Sequence, residues 1–105
     1  MDSHYVVDKS LDHKINLQED STINVDVKRD AVACLFFKNS SGTNSNINVT
    51  LEENAICEMF GMFKSKDYNT NVITNVIHKG KKSKCNQDFR FINKKSTSSF
   101  EGKIT

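Results

Sequence analysis

Three residues of this chain have the chemistry to hold a soft metal: His78, Cys85 and Cys57. Neutral imidazole and thiolate are ligands that copper(I), zinc and iron–sulfur clusters select. Cys57 and Cys85 are 28 residues apart (85 − 57), and each follows a turn-like run. In stacked coils of about that period they become vertical neighbours on one face, with His78 nearby, forming part of a metal or cluster site. Each residue also has a plainer reading, and the plainer reading is the favoured one. An inward histidine can bond to a backbone carbonyl of the next coil, and a buried cysteine packs as a small hydrophobe. Cys34 falls at an unrelated parity in its repeat. No CxxC pair marks a structural zinc site. Three cysteines, odd in number and far apart, read as reduced thiols and not as a disulfide framework. No Ser-His-Asp order, paired-carboxylate spacing, P-loop or dinucleotide fingerprint is visible, so no enzyme is expected.

The elements that must position these residues show in a recurring turn: an apolar residue, two polar residues, Asp or Asn, then a small residue. It reads Leu17-Gln18-Glu19-Asp20-Ser21, Val27-Lys28-Arg29-Asp30-Ala31 and Leu51-Glu52-Glu53-Asn54-Ala55. The second and third copies are 24 residues apart (51 − 27), and their surroundings match: Ile23/Ile47, Asn24/Asn48, Val25/Val49, Val32/Ile56 and Phe36/Phe60. Alternation at period two makes each unit a strand, and a fixed period in this range signals a solenoid. His78-Lys79-Gly80-Lys81-Lys82-Ser83 is a copy one residue longer, with His78 in the place of Val27 and Leu51. Ile92-Asn93-Lys94-Lys95-Ser96 is another, lacking the Asp or Asn and only 14 residues on (92 − 78). The competing architecture is an ordinary β-sandwich with Asn-rich turns. Asn39–Asn46 and Lys64–Asn71 read as loops, and the absence of proline is permissive for central strands.

At 105 residues the chain is one domain with a small core, and its hydrophobic content of 36% suits a thin solenoid with polar turns. No apolar run is long enough for a transmembrane helix. Met1–Ser10 lacks the apolar stretch of a signal peptide, so a cytoplasmic location is expected and no membrane association. Charge is split along the chain. Residues 1–63 hold five basic and ten acidic residues, net −5; residues 64–105 hold ten basic and three acidic, net +7; together they make +2. Such a split suits an acidic partner for the basic part, or self-association. A solvated lysine-rich surface explains it equally well.

Phe36, Phe37, Phe60 and Phe63 read as core or interface. Phe36 and Phe37 are adjacent, so one of them points outward in a regular strand. Val72-Ile73 and Val76-Ile77 likewise place apolar residues on both faces. A strand apolar on both faces is covered on both, which in a thin solenoid suggests a second subunit. Lys79, Lys81, Lys82, Lys84, Arg90, Lys94 and Lys95 form a basic ridge, with Phe89 and Phe91 as stacking aromatics for single-stranded nucleic acid. No nucleic-acid motif accompanies them, so that reading stays the weakest.

Residues 74 to 105 resemble the core of the SufB/SufD family of iron–sulfur cluster assembly proteins. The likeness is carried by Thr74, Val76, His78, Ser83, Cys85 and Gln87, then by Ser98-Ser99-Phe100-Glu101-Gly102-Lys103-Ile104, against a pattern of the form T-x-V-x-H and S-x-F-x-G-K-I. Upstream, Asn48 to Ala55 resembles the family's strand, Glu-Glu-Gly-Ala turn, strand. The chain departs at Gly80 (commonly Ala), Ser83 (Thr), Cys85 (Ser) and Phe91 (Gly). The resemblance implies a right-handed parallel β-helix. The family's cluster-assembly cysteine and histidine, and the helices that bind its partner ATPase, belong to a later part that has no counterpart here, so none of those roles carries over.

The expectation is an all-β protein, a short right-handed parallel β-helix occupying residues 15–105 as one SufB/SufD-like domain. Residues 1–14 stand apart as a poorly ordered N-terminal segment. The expected function is a non-enzymatic scaffold or accessory role in iron–sulfur cluster assembly, with an iron–sulfur cluster as the one cofactor in view. The alternative is a structural β-helix module that self-associates without cluster chemistry. The expected partners are further copies in a homo-oligomer and other cluster-assembly proteins.

Overall fold

A computed structural model describes residues 2–16, 20–39, 44–66, 70–94 and 98–104. They form nine strands: β1 Asp2–Val7, β2 Leu11–Asn16, β3 Ser21–Val27, β4 Val32–Asn39, β5 Asn44–Leu51, β6 Ile56–Lys66, β7 Thr70–His78, β8 Lys84–Lys94 and β9 Ser98–Ile104. The odd strands make a five-stranded sheet in the order β1-β3-β5-β7-β9, and the even strands a four-stranded sheet, β2-β4-β6-β8. Every neighbouring pair is parallel. The chain therefore passes from one sheet to the other and back, and each coil adds one strand to each. This is a parallel β-solenoid. A sandwich would have brought antiparallel sheets.

Each strand forms because its apolar residues alternate. In β3, Ser21, Ile23, Val25 and Val27 are buried while Thr22, Asn24 and Asp26 are half-exposed. The buried side chains stack in columns through the coils. Ile23 lies in register with Ile47, Val25 with Val49 and then Val76, and Val27 with Leu51. In the facing sheet Leu35 lies on Met59. No coil could cover its own apolar row, so neighbours supply the core. The segment set apart as residues 1–14 contributes the first coil, since β1 pairs with β3 and β2 with β4.

Three copies of the recurring turn occupy one corner, where the chain leaves the five-stranded sheet. Lys28 N–H donates to the Val7 carbonyl, Glu52 N–H to Val27 and Lys79 N–H to Leu51, at 2.8, 3.0 and 2.8 Å. Asp30, Asn54 and Lys82 each adopt the left-handed conformation, with φ of 64°, 59° and 62°. The turns are tied to each other: Asn54 Nδ2 donates to Asp30 Oδ1 at 2.8 Å, and its N–H to the Lys81 carbonyl at 2.9 Å. The extra residue of the third turn is absorbed at Gly80, whose N–H shares the Leu51 carbonyl with Lys79 at 3.3 Å. A Cβ on Gly80 would run into the backbone of Glu53, so the bulge needs glycine.

The other two copies are not part of that corner. Leu17–Ser21 falls between the end of β2 at Asn16 and the start of β3 at Ser21, and the first three residues of the last copy, Ile92 to Lys94, lie inside β8. That is why the interval of 14 broke the period. Residues 17–19, 40–43, 67–69 and 95–97 lie outside the described residues, and with them the centres of both expected loops.

Candidate functional site

Cys57 and Cys85 are brought together. They are register partners of β6 and β8 and continue the inward column Leu11–Ala33–Cys57–Cys85. Cys57 is wholly buried; Cys85 is half-buried and packs against the core. The two sulfurs are register neighbours on one face. Their interaction, with burial, raises the Cys57 pKa far above the ordinary thiol value and lowers that of Cys85. Cys85, the less buried of the two, is therefore the first of the pair to lose its proton.

His78 does not join them. It occupies the expected register position opposite Leu51, but its ring turns into its own corner. Nδ1 lies 2.6 Å from Ser83 Oγ, which also lies 3.2 Å from the Gly80 carbonyl oxygen. A hydroxyl has one proton to give, so the ring tautomer sets whether Nδ1 or Ser83 Oγ donates in this contact. The expected partner, a carbonyl of the next coil, is replaced by a hydroxyl five residues ahead, because the lengthened turn folds Ser83 back over the ring. Among the described residues, no three of His, Cys, Asp or Glu are gathered so as to hold a metal ion. Thr74 and Gln87, two other residues of the family-like motif, also bond each other, Thr74 Oγ1 to Gln87 Oε1 at 2.7 Å. The motif residues thus tie β7 to β8 and brace the corner between them.

Cys34 lies on the outer face, in a column with Asp12 and Glu58. Its Sγ is 3.7 Å from Glu58 Oε2. Burial, then the Asp12 and Glu58 carboxylates, push its pKa up and keep it a thiol.

The outer face of the four-stranded sheet carries the most unusual surface. Phe36 and Phe60 point outward, 42% and 39% exposed, and stack on each other with ring centroids 5.4 Å apart. Met62 beside them is 44% exposed. Phe37 and Phe63 point inward and are buried, as the parity of adjacent phenylalanines requires. With Asp88 and Arg90 the outward residues line a shallow groove. Pairing in register places Phe36 and Phe60 in one vertical column, Lys14–Phe36–Phe60–Asp88. Sequence reasoning required one of Phe36 and Phe37 to face outward and matched Phe36 with Phe60 in the repeat, but it did not choose between them or show the column, because Lys14 and Asp88 carry no pattern of their own.

The basic ridge loses its aromatics. Phe89 and Phe91 face inward and pack against the core. The Phe91 ring stacks on Phe63 at 5.2 Å, and the Phe89 ring lies 6.0 Å from that of Phe63. In β8 the odd positions turn in and the even positions, Lys84 to Arg90, turn out. Base stacking on Phe89 or Phe91 would require them to leave the core. Among the described residues no helix is long and apolar enough to cross a membrane.

Comparison with family models, with curated proteins and with solved structures found no match to this chain.

Proposed function

We propose that this chain is a non-enzymatic scaffold that works as a pair of copies, joined face to face through the four-stranded sheet. The observation that carries this is the column Lys14–Phe36–Phe60–Asp88. A two-fold axis along the strands reverses the stacking order and sets the column against itself. Phe36 then meets Phe60 of the second copy, and Lys14 meets Asp88. The same axis lays the first coil, with Asp2, Asp8 and Asp12, over the fourth, with Lys79, Lys81, Lys82 and Lys84, so the charge split favours this arrangement too. Cysteines held as thiols suit a reducing compartment, and the cytoplasm is the proposed setting.

The test is a charge exchange. Lys14→Asp alone should weaken the pair, and Lys14→Asp with Asp88→Lys should restore it. Equal weakening by the double variant would contradict the proposed axis.

A second reading keeps the role in iron–sulfur cluster assembly that the SufB/SufD resemblance implies. It is favoured by Cys57 lying directly under Cys85, two cysteine sulfurs in one column that a bound metal would deprotonate. A cluster usually takes four such ligands, so this reading needs further donors from a partner protein. Anaerobic reconstitution with iron and sulfide should give visible absorption that is lost in Cys85→Ser. A colourless protein, with or without an added cluster donor, would remove this reading and leave the scaffold.

A further inference from the structure

We infer that Cys57 and Cys85 form a redox site, closing to a disulfide that staples the third coil to the fourth. The inference does not depend on how copies associate or on any bound metal. It rests first on register. Side chains that are register partners on neighbouring parallel strands stand on the same face, and the strands are about 4.8 Å apart. That spacing lies within the Cα separation a disulfide spans, roughly 4.4–6.8 Å. Among the cysteines, the pairing is specific. Cys34 lies on the opposite face of β4, in register with Glu58, and cannot compete for either thiol without the strand turning over.

Access and reactivity divide between the two residues. Cys85 is half-buried on β8, and among the described residues no strand of its sheet lies beyond it. Cys57 is sealed between the second and fourth coils. Cys85 is the less buried of the two, and the neighbouring Cys57 thiol favours its thiolate, which makes the reachable sulfur the nucleophile. The co-reactant is a small-molecule disulfide of the glutathione class. Cys85 thiolate attacks one of its sulfurs, breaking the small disulfide and releasing one small thiolate, and a mixed disulfide forms. Cys57 then gives up its proton, and its sulfur attacks Cys85 Sγ. The second small thiolate leaves. The two protein thiols are oxidised, the small disulfide is reduced to two thiols, and two protons are accounted for on those products.

The bond has a structural consequence. Strand pairing between β6 and β8 is the most extensive of the fold, running from Ile56–Lys84 to Lys66–Lys94. A cross-link near its start ties the fourth coil to the third by a covalent bond in addition to the ladder. Ideal in-register strands hold the two Cβ atoms somewhat further apart than the ~3.8 Å mean of disulfides. The coils must therefore draw together at this point, which makes the bond readily reducible and its formation reversible.

The experiment incubates the folded, fully reduced chain with oxidised glutathione, then counts free thiols under denaturing conditions and maps the peptides. The expected result is a fall from three thiols to one, a monomeric cross-link joining the peptides of Cys57 and Cys85, and full recovery with dithiothreitol. Cys34→Ser should give a fall from two thiols to none at the same rate. Peptide mapping of the unaltered chain and of Cys34→Ser decides the matter without a substitution at either thiol of the pair. Retention of all three thiols in the folded chain would overturn the inference. So would oxidation that maps to Cys34, or mixed disulfide that persists on Cys85 without closing onto Cys57.

Discussion

Replacing Lys82 by Asn should stabilise this protein, and replacing Asn54 by Ala should destabilise it, for one reason. Both residues sit at the left-handed position of the same corner, with φ of 62° and 59°. An L-residue pays about 1–2 kcal/mol there, and Asn pays less because its short side chain bonds locally. Lys82 has no such relief, so Lys82→Asn should gain about 1 kcal/mol. Asn54→Ala loses that tolerance and also the 2.8 Å bond to Asp30. An exposed bond of this kind is worth about 0.5 kcal/mol, so the total loss is about 1.5 kcal/mol. At about 2.1 cal/mol/K per residue, 105 residues convert 1 kcal/mol to about 4–5 °C in Tm. Circular dichroism melts of both variants read the shifts directly. Asn54→Gly is the control: it keeps the conformation, loses the bond, and should fall between the native chain and Asn54→Ala. A Lys82→Asn protein that melts below the native chain, or Asn54→Gly no better than Asn54→Ala, would refute the corner as described.

Gly61→Ala should destabilise by about 1–3 kcal/mol in urea unfolding, because the added methyl meets the Phe89 and Phe63 rings, its nearest side-chain neighbours there; pairing it with Phe89→Leu should recover part of the loss. Alkylation of Cys34 by iodoacetamide at pH 8 should run slower than that of a free cysteine peptide, and Asp12→Asn with Glu58→Gln should speed it several-fold, since the carboxylates and burial oppose the thiolate. The same raised pKa means the unfolded chain releases this proton first as pH climbs past the ordinary value of 9.0, so stability that Cys34 contributes below that pH is lost above it, and Cys34→Ala should lessen the alkaline fall seen in unfolding titrations. Ser83→Ala should leave the four-stranded sheet intact but shift the His78 ring resonances in NMR, because His78 loses the hydroxyl bonded to its Nδ1.

The solenoid was legible because its second and third coils are nearly copies. Ile23/Ile47, Asn24/Asn48, Val25/Val49, Val32/Ile56 and Phe36/Phe60 are all register partners, and Cys57/Cys85 follows at the longer interval of the fourth coil. The alignment even shows as polar ladders: Asn48 Nδ2 donates to Asn24 Oδ1 at 3.1 Å and Asn75 Nδ2 to Asn48 Oδ1 at 2.9 Å. The first coil was missed because its corner reads Val7-Asp8-Lys9-Ser10-Leu11, with Ser for Asp or Asn and Leu for the small residue. Its hydrogen bond to Lys28 shows that Val7 fills the apolar position all the same. Leu17–Ser21 and Ile92–Ser96 were read as copies of the corner because their residue types are those that turns favour, yet Ile92 to Lys94 belong to β8. At the site, spacing placed the two thiols together and put His78 at its register position. It could not show that an extra residue in the turn would bring Ser83 to the ring. The inward parity of Phe89 and Phe91 was readable from Cys85 onward, but the lysines around them suggested a binding ridge.

The central claim is pairing of two copies through the outward phenylalanines, and solution mass tests it most directly. Light scattering on the native chain at micromolar concentration should give twice the chain mass of 11.9 kDa, with a monomer for Phe36→Ser combined with Phe60→Ser and no loss of parallel-sheet signal by circular dichroism. A native chain that is monomeric at that concentration, or a folded double variant that remains a dimer, would contradict the account.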